Sequence, residues 1–237
     1  MWRWLRGAAA ERKDSGTVMS DGDTAGRADE VHRELGTRPV DGRETPAVLL
    51  RRTYDAAVED VWDACTDPER LGRWLLPVTG DLKPGGDYRL EGGAYGEILR
   101  CEPPRLLKVS WLFGENPDVS EVEVRLTARG PDRTVLELEH VAVTPPEVWD
   151  VFGPGATGLV WDLTALGLHL HLLDGQDGDP PVDLSVWRES DEARAFMTRS
   201  SEAWGAAYEA AGAPAEVAAA CVEATTSFYV RPRGDGA

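Results

Sequence analysis

The sequence predicts an α+β fold: a curved antiparallel sheet around one long helix, with a small helical tail. Three observations carry this. From residue 79 to 143 apolar positions alternate with a period of two, through five segments parted by Gly, Pro and Asp turns. Two short stretches ahead of them, within 58–76, have helical spacing instead. One stretch after them, GATGLVWDLTALGLHLHLLDG (155–175), holds leucines at helical intervals and is long enough to lie across a sheet.

In chain order, residues 1–45 are rich in Gly, Asp, Thr, Arg and Pro and lack apolar periodicity, which predicts a disordered leader. Its first part, MWRWLRGAAAERKD, is too short and too interrupted in its apolar run for a secretory signal, and Met19 is a second candidate start. AVLLRRTYDA (47–56) reads as the first strand, with Val48, Leu50 and Tyr54 on one face. Val58, Val61, Trp62 and Cys65 then recur at helical spacing. Asp67 is a cap, Pro68 a first helical residue and Glu69 a first-turn acid for a second short helix with Leu71, Trp74 and Leu75, stopped by Pro77.

The segments DYRLEGG, YGEILRCEPP, RLLKVSWLFG, SEVEVRLTARG and RTVLELEHVAV follow as strands. Val122, Val124 and Leu126 share one face, and Leu136, Leu138 and His140 share another, each opposed by charged residues. The sheet therefore has a wet face and a covered face. The leucine stripe 159, 163, 166, 170 and 173 is expected to cover it, leaving a hollow of several hundred Å3, on the order of an ordinary ligand pocket. After the turn-rich GQDGDPPVD, a helix from Ser190-Asp191-Glu192 to Gly212 carries Phe196, Trp204 and Tyr208. Another from Pro214 carries Val217, Cys221, Thr225 and Phe228. This tail, too small to fold alone, is expected to dock on the main domain, over a sheet edge, at the cavity mouth or in a homodimer contact.

Composition narrows the function. The chain has 237 residues and a formal net charge of −17, and none of its three segments is net basic, so nucleic acid and anionic membrane surfaces are poor partners. No apolar run reaches the roughly 18 residues of a membrane span. Cys65, Cys101 and Cys221 stand far apart without a CxxC, which points to a reducing cytoplasm.

The chemistry-bearing residues are few. His169 and His171 lie two residues apart on a helix, about 200° around its axis, and cannot share a metal ion. There is no HExxH, no GxSxG elbow, no GxGxxG after a strand and no GK[ST]. Neither a cofactor nor a metal is expected. Cys65 reads as a small buried apolar residue, and Asp63, Asp67, Glu69, Arg70 and Arg73 as a solvated face and a cap. His140 shares the covered parity, where it is either a satisfied core histidine or a ligand-bonding or acid–base group. Trp111 alternates with Val109 and Phe113, Tyr88 with Leu90, and Trp161 rides the closing helix; such aromatics suit a flat apolar ligand or an ordinary core.

Five stretches in this order, VEDVWDACTDPERLGRWLLP, DLKPGGDYRL, GEILRCEPPRLLKVSW, TVLELEH and VWDLTALGLHL, resemble the SRPBCC (START-like, helix-grip) superfamily. Within it they are most similar to the branch of the C-terminal domain of Hsp90 ATPase activators. The resemblance covers about residues 46–174 and leaves out the leader and the extension 175–237. It implies a helix-grip fold with a cavity that often holds an apolar or aromatic ligand, and it places Trp74 near the mouth. It fixes no single reaction. The expected function is binding of an apolar or aromatic small molecule for carriage, sequestration or sensing, through Trp74, Tyr88, Trp111, Val124, His140 and Trp161. The alternatives are a polyketide cyclase or dehydratase-like enzyme with His140 as acid–base, and an interaction domain for an Hsp90-type chaperone.

Overall fold

The described residues form eight antiparallel strands: β1 (His32–Val40), β2 (Arg43–Tyr54), β3 (Val78–Gly80), β4 (Asp87–Leu90), β5 (Tyr95–Glu102), β6 (Leu106–Ser110), β7 (Ser120–Ala128) and β8 (Thr134–Ala142). The computed structural model describes residues 26–40, 42–114, 118–173, 187 and 189–230. The strands form one sheet in the order β1-β2-β8-β7-β6-β5-β4-β3, so the early strand β2 pairs with the last. Leu50 faces Leu138, Leu138 faces Val124 and Val124 faces Leu107, which sets four apolar side chains in a row across the sheet. The adjoining row runs Val48, His140, Val122 and Val109. The opposite face is wet, and carries ion pairs such as Arg51–Glu137 and Lys108–Glu121, both at 2.6 Å.

The leader expected over 1–45 is corrected within its described part. Residues Gly26–Glu30 form a 3-10 turn, and His32–Val40 form an edge strand paired with β2 from His32 opposite Arg51 to Val40 opposite Arg43. An edge strand is held through its backbone and stays largely exposed, so it needs no apolar alternation and shows none. The Asp41-Gly42 dipeptide was the available hairpin signal, and Gly42 has φ +76°. Residues 1–25 lie outside the described residues.

Helices α1 (Val58–Thr66) and α2 (Pro68–Trp74) stand where helical spacing placed them. Asp67 ends α1 and caps α2, its side chain accepting from the Arg70 N–H at 2.9 Å. Asp67→Ala is therefore expected to lower stability by about 1 kcal/mol in chemical unfolding. The equivalent loss is not expected for Asp63→Ala, a control one turn earlier.

A short helix α3 (Pro146–Phe152) leads into the long α4 (Gly155–Leu173), which lies across the sheet. Here the expected stripe is corrected. Trp161, Ala165, Leu168 and Leu172 pack in the sheet's core. Leu159 and Leu166, with Leu163 and Leu170 beside them, belong to a second core with Ala28, Trp187, Phe196 and Met197. The two stripes have the same spacing and are offset by two residues, which puts them on opposite sides of the helix. The helix is apolar on both faces because both are buried.

The leucine face receives the tail, α5 (Asp191–Ala210) and α6 (Ala215–Tyr229), which begin where Ser190 and Pro214 predicted. Ser190 caps α5 by accepting from the Ala193 N–H at 3.1 Å. Ala218, Cys221 and Thr225 are the buried residues of α6, whereas Val217 is exposed. The tail packs on α4, β1 and the 3-10 turn, behind the long helix. Close approach requires a glycine: a Cβ at Gly158 would stand 2.2 Å from the Trp204 indole.

One charged group is sealed in that joint. Asp162, fully buried on α4, accepts from Arg33 Nε at 2.9 Å, from Trp204 Nε1 at 3.0 Å and from the Ser200 hydroxyl. Arg33 donates its remaining nitrogens to the carbonyls of Val31 and Ala28 at 2.9 and 2.8 Å. The cluster ties β1, α4 and α5 together.

Candidate functional site

Between the concave sheet face and α4 lies an apolar cavity of about 110 Å3. Its floor is built from the cross-strand rows: Leu50 and Tyr54 of β2, Leu136 and Leu138 of β8, Val122 and Val124 of β7, Leu107 and Val109 of β6. Trp161, Thr164, Ala165 and Leu168 of α4 form the roof. Leu71, Trp74 and Leu75 close one end, and Cys65 reaches in from α1. The volume is smaller than the several hundred Å3 expected, because the Trp111 and Trp161 indoles, 5.2 Å apart at their centres, take up space along one side.

Four of the six sequence-chosen ligand residues are in this wall: Trp74, Trp111, Val124 and Trp161. The other two, Tyr88 and His140, are not in the lining. They stand behind the wall, each against a lining indole. Tyr88 lies 6.3 Å from Trp111 between ring centres and donates its hydroxyl to Ser110 O at 2.7 Å. His140 meets Trp161 edge to face at 5.7 Å. Strand parity tells which face a side chain takes, not how far into the layer it reaches. Parity already marked Leu50, Leu136 and Leu138 as inward. Leu107 shares the parity of Val109 and Trp111, and its pairing opposite Val124 sets it in the same row.

Four polar groups of the wall are occupied by the protein itself. Tyr54 donates its hydroxyl to Ala165 O at 3.1 Å, Thr164 to Val160 O at 2.8 Å, and the Trp74 indole to Ala64 O at 3.0 Å. The Trp161 indole donates to His140 Nδ1 at 3.0 Å. His140 Nδ1 is thus an acceptor, the neutral ring carries its proton on Nε2, and Nε2 donates to Ser120 Oγ at 2.8 Å. Burial pushes the imidazole down to about 4, so it stays neutral at pH 7 with both nitrogens engaged. Burial likewise pushes the Cys65 thiol up to about 12, against a weaker opposing pull from Arg70, so it is no thiolate nucleophile. Among the described residues no group of three or more His, Cys, Asp or Glu is placed to hold a metal.

The stretch DACTDPERLGRWLLP forms the end wall. Arg70 is held by the Asp60 carboxylate at 2.6 Å and reaches His171 Nε2 at 3.3 Å, while the Trp74 ring stacks on His171 with centres 6.4 Å apart. Its charges point outward and its Leu71, Trp74 and Leu75 point in. Phe152 lies with the tail instead, 5.6 Å from Phe228.

A curved antiparallel sheet gripping a long helix over an apolar hollow defines a protein of the helix-grip class. Residues 55–165 match the family described as Activator of Hsp90 ATPase homolog 1-like protein. The crystal structure of CalU16 from Micromonospora echinospora is 36% identical, with a TM-score of 0.59, covering 76% of this chain and 98% of that one. Its solution structure gives 35% identity and a TM-score of 0.61, over 76% and 96% of the two chains. A conserved protein from Enterococcus faecalis, EF2215, has the same fold at 16% identity and a TM-score of 0.51, over 78% and 96%. No curated protein matches the chain. The chain belongs to the Activator of Hsp90 ATPase homolog 1-like family within the SRPBCC superfamily. The CalU16 match spans more of this chain than the family's matched residues do.

Proposed function

We propose that this protein binds a small aromatic molecule in the cavity between sheet and α4, as a carrier, sequestering protein or sensor. The observation that supports it most is the wall itself: apolar, faced by three indoles, with the Tyr54 and Thr164 hydroxyls and the Trp74 and Trp161 indole N–H groups already bonded within the protein. Such a wall offers a guest area and ring contact and gives water little to bond. An apolar cavity of comparable size, about 150 Å3, stays dry and takes up a single benzene ring. At about 110 Å3 the present cavity suits one ring, with larger guests requiring the α2 end to move. Trp161 is the best ring contact, held in place by His140 rather than accompanied by it.

The three cysteines are free thiols, which is compatible with a reducing compartment. Among the described residues no helix is long and apolar enough to cross a membrane.

The test is a thermal-shift titration of the full chain with toluene, indole and naphthalene, alongside Val124→Phe, which places a ring in the hollow. The native chain is expected to gain several degrees, since a guest at a hundredfold its Kd adds about 2.7 kcal/mol. The variant is expected to fold and to lose that gain. No shift with any of the three, or an equal shift in the variant, overturns the reading.

A further inference from the structure

The concave face of the sheet carries one buried cation, Arg52. Arg52 sits on β2 between Leu50 and Tyr54 and opposite Leu136; those three neighbours line the cavity, and Arg52 itself stands just behind that lining. Its side chain is fully buried. One nitrogen, Nη2, is paired, to Glu30 at 2.8 Å, and Glu30 is itself half exposed. Nε and Nη1 have no hydrogen-bond partner among the described residues. A buried guanidinium with two empty donors is costly, because each lost its water without gaining an acceptor.

Among the described residues no carboxylate other than Glu30 pairs with Arg52. His169, one turn along α4 from the Ala165 carbonyl that holds Tyr54, also has a buried Nε2 without a partner. Its ring centre is 6.5 Å from that of Tyr54, and the Arg52 guanidinium is 5.6 Å from the same ring. Arg27 pairs with the other oxygen of Glu30 at 3.2 Å. Two guanidinium groups therefore share one carboxylate, a local excess of one positive charge in a chain of net charge −17.

We propose that Arg52 anchors a carboxylate, the acidic end of an aryl acid whose ring occupies the cavity. This rests on the cavity reading and specifies its ligand class. A monoanion fits the excess of one charge, whereas a dianionic phosphate would confront Glu30 across the same guanidinium. The hydrogen bonds that form are charge-assisted and screened from water, the setting in which they are strongest.

The test compares 3-phenylpropanoate, its methyl ester and acetate on the full chain, by titration calorimetry and by the Arg52 Nε–H signal in 15N NMR. The acid is expected to bind about tenfold or more tightly than the ester, the difference a charge-assisted bond makes. It is also expected to shift the Arg52 signal, which the ester leaves in place. Arg52→Met is expected to remove the preference for acid while keeping ester binding. Where that variant does not fold, the NMR comparison on the native chain decides. Equal binding of acid and ester, or an Arg52 signal unmoved by acid and acetate, overturns the proposal while leaving the cavity reading intact. A signal moved by acetate with neither phenyl compound bound supports the carboxylate anchor, overturns its link to the cavity and counts against the cavity reading.

Discussion

Asp162→Ala is expected to cost about 3–5 kcal/mol, the loss seen when one partner of a buried ion pair is removed. The carboxylate on α4 takes hydrogen bonds from two further elements at once, through Arg33 on the edge strand β1 and Ser200 and Trp204 on α5. Removing it strands the Arg33 Nε and Trp204 Nε1 donors in a buried joint, beside an indole in close contact with Gly158. Since whole domains hold only about 5–15 kcal/mol, urea unfolding at pH 7 reads this directly as a large fall in midpoint. A loss below about 1 kcal/mol would mean that the joint relaxes around an orphaned guanidinium, and would remove the cluster from the account of how the tail is attached.

The companion substitution Arg33→Met separates charge pairing from packing. Burial raises the Asp162 carboxyl above its ordinary range, and the Arg33 charge, the Ser200 and Arg33 hydrogen bonds and that of Trp204 oppose it. Without Arg33 the rise is less opposed. The folded state then keeps a proton that the unfolded chain releases above the ordinary carboxylate pKa, so the variant's stability falls as pH rises through that range. Loss of stability without this dependence would point to packing alone.

The same joint shows what was legible in the sequence and what was not. The sheet's inward residues could be read because its outer face is wet: Leu136, Leu138 and His140 alternate with Glu137 and Glu139. Helix α4 lacks that contrast. With a tail on one side and a sheet on the other, two leucine-bearing stripes of equal spacing compete, and periodicity cannot rank them. The tie is broken by Asp162, which lies on neither stripe and finds its partners only in β1 and α5. Edge strand β1 escaped notice because backbone pairing leaves no mark on side-chain pattern. In the site, Trp111, Val124 and Trp161 could be placed by element and face, and Trp74 by the family resemblance. That His140 and Tyr88 sit one layer deeper depends on the indoles in front of them, a matter of packing.

Acidification from pH 6.5 to 4 is expected to cost the fold about 3 kcal/mol through His140 alone. The unfolded histidine titrates near 6.5 and the folded one near 4, held down by burial. Between these values the unfolded chain binds a proton that the folded chain does not, so stability is complete above about 6.5 and is lost as pH falls. His169, also lowered by burial to about 4, adds to the loss in the same direction. The physical reason for His140 is specific. A proton on Nδ1 would face the Trp161 N–H, and two donors would point at each other across 3.0 Å. Protonation therefore displaces the indole that roofs the cavity, so guest binding is expected to weaken over the same pH window. His140→Gln keeps a polar side chain and removes the titration. Urea midpoints at pH 7 and pH 4.5 are expected to separate less in this variant than in the native chain, by close to the full His140 share. An unchanged separation would assign the acid sensitivity to other groups and leave Trp161 without its pH-dependent support.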